Sequence, residues 1–225
     1  MAEVTLIGIT QPRIKGVKTV GELIAYCARV SNPDNQMNMM TAPKLIKYCV
    51  DNNHWSILET ASATLQIDST RDICRQILRH RSFTFQEFSQ RYADPTKDLG
   101  FTIREARLQD TKNRQNSIEI GIDGWVDERG KDKVSTWEIM QELTLNASKD
   151  AYKWAIENGI AKEQARAVLP EGLTDSRMYM QGTIRSWVHY IQLRSENGTQ
   201  KEHREIARMC GEVLRKEIPE LSELI

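Results

Sequence analysis

The chain has 225 residues, with 31 Lys plus Arg balanced by 31 Asp plus Glu, so it carries no net charge. That length gives one or two domains and room for a sizeable core, and 40% hydrophobic with 28% charged residues is a globular composition, not a disordered one. A neutral total excludes a protein that coats nucleic acid through a general positive field, and it removes the repulsion that would keep copies apart.

Val4, Leu6 and Gly8 alternate with polar or second-face residues, which predicts a short first strand. Thr19 and Glu22 form a capping-box pattern that opens a helix with Val20, Leu23, Ile24 and Cys27 on one face, fraying near Ser31-Asn32-Pro33. Pro43 suits the first turn of a second helix, striped by Leu45, Ile46, Cys49 and Val50. Residues 60–68 alternate cleanly, with Ala61, Ala63, Leu65 and Ile67 on one face, and are the clearest strand in the chain. Asp68-Ser69-Thr70 can cap a helix built on Ile73, Cys74, Ile77 and Leu78. Residues 93–134 are polar, with a turn signal at Asp123-Gly124, and read as a loop-rich excursion within a single domain spanning 1–225.

Ser135 and Glu138 make a second capping box, starting a long helix that Gly159 ends. A short helix near 162–168 stops at Pro170; Met178, Met180 and Gly182 then alternate as a strand, and a helix runs from about 184 to 195. Asn197-Gly198 breaks it, and Thr199 with Glu202 caps a final helix ending near Pro219. Strands and helices without strict alternation predict an α+β fold.

No apolar run approaches the roughly 18–20 residues of a membrane span. The start, Met1-Ala2-Glu3-Val4, has neither the basic nor the apolar part of a signal peptide. Cys27, Cys49, Cys74 and Cys210 form no CxxC pair, which fits reduced thiols, so a cytoplasmic protein is expected. His54, His80, His189 and His203 contain no i, i+4 pair, so no metal site is expected. His203, on the last helix, reads as a surface residue. Trp137, Trp154 and Trp187 read as core or interface residues.

Chemistry concentrates at 71–92, RDICRQILRHRSFTFQEFSQRY, which holds five arginines and no lysine against Asp72 and Glu87. Arginine alone suggests bidentate recognition of phosphate or carboxylate. Gln76, Arg79 and His80 fall at i, i+3 and i+4 and would share a helix face. An extended 87–91 would put Glu87, Ser89 and Arg91 on one wall, a set able to hold a sugar hydroxyl and a phosphate. The alternatives are a solvated helix end with weak ion pairs and a nucleic-acid-binding module using the Arg/Phe-rich 71–92 segment, against which the neutral total counts.

Arg79-His80-Arg81, then seven residues, then Ser89, resembles the signature of the flavin-dependent thymidylate synthases, and the wider run to Tyr92 matches that family nearly throughout. Ala28-Arg29-Val30-Ser31, the segment His54 to Glu59, the segment Ala165 to Pro170, and Arg185 to His189 followed by Leu193-Arg194 resemble it in the same order; 93–134 matches only loosely, through Arg107 to Gln115. The resemblance implies a central, mostly antiparallel sheet flanked by helices. It implies conversion of dUMP to dTMP with methylenetetrahydrofolate as carbon donor, FAD as bound cofactor and NADPH as reductant. It also implies a homotetramer with sites at subunit junctions, with no metal, nucleic acid or membrane involved.

By resemblance, Ser31, His54, Ser56, Arg79, His80, Arg81, Glu87, Thr183, Arg185 and His189 contact FAD. Gln76, Arg79, Glu87, Phe88, Ser89, Gln90, Arg91, Arg166 and Arg194 hold dUMP, with Arg194 as the catalytic arginine beside the uracil ring. Thr183 stands where the family often has Asn and keeps only a hydroxyl; Gly198 stands where many members have His. A guanidinium beside uracil stabilises charge developing at N3 and O4 and raises electron density at C5, so no enzyme nucleophile is needed. That agrees with four cysteines on apolar helix faces. On a straight helix Arg185 and Arg194, nine residues apart, point to opposite sides; sites shared between subunits or an unwound helix end at Asn197-Gly198 would relieve this.

Overall fold

The computed structural model of the chain describes residues 2–121, 124–126 and 131–225. Its elements are β1 (Glu3–Ile9), α1 (Val20–Ala28), α2 (Ala42–Asp51), β2 (Ser62–Thr70), α3 (Arg71–Ile77), β3 (Thr84–Glu87), α4 (Pro95–Asp98), β4 (Arg107–Gln109), β5 (Ser117–Glu119), α5 (Lys133–Glu157), α6 (Lys162–Ala165), β6 (Asp175–Thr183), α7 (Ile184–Arg194) and α8 (Lys201–Glu217).

The alternation at 60–68 and 178–182 decides the architecture. Four antiparallel strands run in the order β1-β2-β6-β3, with Leu65 opposite Met180 and Ala63 opposite Gly182. Ala63, Leu65, Ile67, Met178 and Met180 are fully buried on one face, while Gln66 and Tyr179 on the other remain partly or largely exposed. Period-2 burial of this kind needs a cover on one side only. The cover is helical: Ile73 and Ile77 of α3, Trp187 and Ile191 of α7, and Ile206, Cys210 and Leu214 of α8 complete one core with Ile24 of α1 and Ile46 of α2. Trp187 is buried without an orphaned donor because its Nε1 donates to the Ala63 carbonyl at 3.1 Å. A smaller cluster, Tyr152, Ala155 and Ala165, joins α5 to α6.

Several caps differ from the sequence expectation. The Thr19–Glu22 box is formed. Thr70 stands at the head of α3, but its hydroxyl donates to Asp72 Oδ1 at 2.5 Å instead of accepting from the backbone, because β2 runs unbroken into the helix. α5 begins at Lys133, capped by Asp132, whose carboxylate accepts from the Val134 and Ser135 amides; Ser135 lies inside the first turn. α8 begins at Lys201 after Gln200, so Thr199 is not its cap, and Glu202 turns instead to Arg107. Thr183 caps α7 through the Ser186 amide at 3.2 Å. Gly159, at φ 78°, closes α5 as expected.

The polar excursion is tied down. β4 and β5 form a hairpin, and the Gln141 amide clasps Arg104 from both sides, accepting from its N–H at 2.8 Å and donating to its carbonyl at 2.9 Å. Of the expected Asp123-Gly124 turn, Asp123 lies outside the described residues; the Gly124 amide donates to the Gly121 carbonyl at 3.0 Å. Among the described residues no helix is long and apolar enough to cross a membrane.

Gly182 is required by closeness. A Cβ built there would lie 2.5 Å from the Phe83 ring, which is itself wedged against Trp187. Gly182→Ala should therefore cost about 1–3 kcal/mol of stability through overpacking, read as a lowered urea midpoint with unchanged slope.

Candidate functional site

α3 is shorter than its apolar spacing predicts. It ends at Ile77, so Arg79 and His80 lie in a turn and not on the helical face of Gln76. The turn sends Arg79 and Arg81 outward, where neither side chain has a hydrogen bond or ion pair among the described residues, and sends His80 inward. There Arg194 Nε donates to His80 Nε2 at 2.9 Å, and the His80 ring meets Tyr190 edge-on at 4.9 Å. Burial, with the Arg194 charge beside it, pushes the His80 pKa down to about 4. The imidazole is therefore a neutral acceptor near neutral pH. The terminal nitrogens of Arg194 have no partner among the described residues.

His203 is not a surface residue. It is fully buried, with Nε2 3.2 Å from the Tyr190 hydroxyl and Nδ1 3.3 Å from Gln76 Oε1. Burial, then the Arg194 and His80 charges, push its pKa down to about 3. Its spacing with Ile206, Ala207 and Cys210 is the stripe of an amphipathic helix, the signal that marks it as an inward residue. Tyr190 and Gln200, also absent from the expected site, belong to the same cluster; Tyr190 lies on the apolar face of α7 with Trp187 and Ile191.

Beyond β3 the chain turns instead of extending. Tyr92 and Ala93 amides fold back onto the Ser89 carbonyl, so Glu87, Ser89 and Arg91 do not line one wall. Glu87 accepts from the Ser176 hydroxyl at 2.8 Å and lies 3.8 Å from Arg71. Phe88 is half-buried, and its amide continues the ladder to the Arg177 carbonyl at 2.8 Å. Gln90 is buried with Nε2 unpartnered. Arg91 reaches Glu163 of α6 at 3.3 Å, one helical turn before half-buried Arg166.

A third group lies along α7. The turn Trp55–Glu59 packs beside it, with the Trp55 ring 4.8 Å from His189 and Arg185 Nη1 bonded to Glu59 at 2.5 Å. His54, Ser56 and His189 are exposed; the Thr183 hydroxyl is engaged in its cap. Ser31 is exposed in the turn after α1. α7 stays helical through Arg194, so Arg185 and Arg194 leave on different sides and the helix end is not unwound.

The Ser186 hydroxyl, in the α7 cap, donates to the Ser82 carbonyl at 3.3 Å and so ties the α7 group to the turn that carries Arg79 and Arg81; no hydrogen bond, ion pair or ring contact among the described residues joins the Glu87–Arg91 group to either of the other two. Clefts of about 520 and 560 Å³ lie at the open end of β2 and β6 and beside the β4–β5 hairpin; neither contains Arg79, Arg81, Arg91, Arg166 or Arg194. Of the aromatic residues in 71–92, Phe83 is buried, Phe85 and Phe88 are half-buried and Tyr92 is exposed, while Arg75 is paired with Glu171 at 2.7 Å. The thiols are withdrawn: burial pushes Cys74 up to about 12 and Cys210 higher still, and raises Cys49. No group of three His, Cys, Asp or Glu able to hold a metal ion occurs among the described residues.

A family model described as "Thymidylate synthase complementing protein" matches residues 15–220. A "Probable flavin-dependent thymidylate synthase" of Paramecium bursaria Chlorella virus 1 is 49% identical over 98% of this chain and 97% of its own length. A "Flavin-dependent thymidylate synthase" of Synechocystis is 43% identical over 96% of each. The solved structure of the UMP/dUMP methylase PolB from Streptomyces cacaoi, bound with 5-Br UMP, shares the fold at a TM-score of 0.79 and 22% identity, covering 100% of this chain and 93% of that one.

The two neutral histidines set a pH dependence. Unfolded, each takes up a proton below about pH 6.5; folded, they do so only near pH 4 and 3. Their contribution is fully present above pH 6.5 and is lost as pH falls toward 4. Urea midpoints should drop between pH 7 and 5, less steeply in His203→Leu; equal slopes would remove His203 from this account.

Proposed function

The chain belongs to the flavin-dependent thymidylate synthase family and is an enzyme that methylates dUMP, and we propose that it does so with methylenetetrahydrofolate as carbon donor and NADPH as reductant, with Arg194 as the catalytic group. The observation that carries the reading is the Arg194–His80 bond. One guanidinium nitrogen is spent on a neutral imidazole, which fixes the plane of the side chain while leaving its charge intact and its terminal fork free.

A fork so held can face the N3–O4 edge of uracil. Negative charge developing there is stabilised, C5 becomes electron-rich, and C5 attacks the one-carbon unit without a covalent bond from the protein. Burial keeps Cys74, Cys210 and Cys49 as thiols, which supports a mechanism without a cysteine nucleophile. Arg91, Arg166 and Arg79 suit the phosphate of dUMP. The unpartnered Gln90 amide is a ready donor, Glu87 is suited to a ribose hydroxyl, and Phe88 and Ser89 lie between them.

The donor set also suits FAD. Arg79 and Arg81 are exposed and without a partner among the described residues, as a pyrophosphate site requires, and His54, Ser56 and His189 line the adjoining edge of α7. His80 lies between Arg79 and Arg81, while Glu87 would join the set from β3, Arg185 and Thr183 by leaving Glu59 and the α7 cap, and Ser31 from the α1 side. FAD, when bound and reduced by NADPH, would supply the hydride that turns the transferred carbon into a methyl group.

The separation of the Glu87–Arg91 group from the other two within one chain supports an assembly, in this reading a homotetramer, in which neighbouring copies complete each site. The same reading makes residues 1–225 a single domain working in the cytoplasm.

Arg194→Ala should lower dTMP formation by roughly 10²–10³-fold or more while FAD stays bound, read as tritium released from C5-labelled dUMP. Normal turnover in that variant sinks the assignment. Single Cys→Ala variants that fold should keep releasing tritium; a folded, ligand-binding but inactive one refutes the absence of a nucleophile.

A further inference from the structure

Five side chains link the interior of the molecule to its ionic edge, and each link has a fixed direction. Tyr190 is buried, and burial pushes its phenol well above its usual pKa, so it stays protonated and able to donate. His203 is neutral, with one donor and one acceptor nitrogen. With Tyr190 donating to Nε2 at 3.2 Å, the proton of His203 must sit on Nδ1, which then donates to Gln76 Oε1 at 3.3 Å. Gln76 Nε2 donates to Gln200 Oε1 at 2.7 Å, and Gln200 Nε2 donates to Glu202 Oε2 at 2.9 Å. The chain ends on a carboxylate that can only accept and that also takes Arg107 and Arg104. The carboxylate sets every orientation in the series: Gln200 turns its nitrogen to Glu202 and its oxygen to Gln76, Gln76 its nitrogen to Gln200 and its oxygen to His203 Nδ1, and the phenol is left to donate to Nε2.

The consequence falls on Gln76. Its carbonyl oxygen is taken by His203, and one of its two N–H groups by Gln200. What remains is one N–H, together with the second lone pair of an oxygen already turned toward His203. A glutamine not held in this way could turn over and present oxygen instead. We propose that His203 is a positioning residue for substrate binding, which locks the Gln76 amide so that its free N–H is the group held toward dUMP. Neither the Arg-His-Arg signature nor the curated relatives' names assign a role to His203. The proposal rests on the reading of Gln76 as a dUMP contact, and it adds to that reading the sense of the contact: Gln76 selects an oxygen acceptor on the ligand.

The FAD-loaded chain titrated calorimetrically with dUMP tests this. The unaltered chain must bind dUMP first; if it does not, the functional reading itself fails before any variant is made, and the proposal falls with it. His203→Leu removes both links. Tyr190→Phe, a milder change, removes only the hydroxyl that holds the tautomer, and it carries the test alone if His203→Leu does not fold. Each should weaken dUMP binding about threefold to tenfold, the worth of one hydrogen bond, with flavin absorbance per chain unchanged. His203→Asn, whose amide nitrogen can occupy the Nδ1 position, should restore most of the affinity. In a Gln76→Ala background none of these substitutions should weaken binding further. Losses that persist in that background, an Asn variant as weak as Leu, or unchanged affinity in both His203→Leu and Tyr190→Phe would overturn the positioning role.

Discussion

Covering the apolar face of β2 and β6 is the constraint from which the rest of the molecule follows. Ala63, Leu65, Ile67, Met178 and Met180 leave no alternative to a helical cover, and the helices that provide it, α3, α7 and α8, are the ones that carry Gln76, Arg194 and His203. The register of the two central strands brings Gly182 under Phe83, which packs against Trp187 and Tyr190. Packing and chemistry therefore share residues: the face of Tyr190 closes the core while its hydroxyl begins the polar series.

Charge is handled locally within a neutral protein. The guanidinium of Arg194 sits beside two imidazoles that burial keeps uncharged, so its charge is neither neutralised by a carboxylate nor repelled by a cation. A carboxylate at the His80 position would bind Arg194 more strongly, but would cancel the field that the proposed activation of uracil draws on. A neutral acceptor orients without cancelling.

The strands and the long helices were legible because period-2 and period-3.6 burial write themselves directly into residue spacing; the order and register of the sheet were not. The motif 79–92 was legible as chemistry but not as shape. α3 stops at Ile77 although Leu78 continues its apolar stripe, and the extended wall expected at 87–91 folds into a turn on the Ser89 carbonyl. Caps were misread where a nearer carboxylate won, Asp132 over Ser135, or where the expected box residue had a stronger partner, Glu202 with Arg107. His203 was misread because a polar residue on a helix is ordinarily solvated; only its position on the Ile206–Cys210 stripe showed otherwise. Contacts between groups distant in sequence, such as Gln76 with Gln200, leave no local signature.

The Glu202 joint has a consequence for how the fold meets acid. Burial alone would raise that carboxyl, but Arg107, its own backbone amide, Arg104 and Gln200 outweigh it and hold the group below its usual value. The hairpin is thus fastened to α8 by a charge that survives well into acid, whereas the histidines beneath Arg194 begin to favour the unfolded chain at about pH 6.5. Acidification works on this molecule from the inside outward: the desolvated cluster over the sheet becomes the weak point while the ionic edge is still intact.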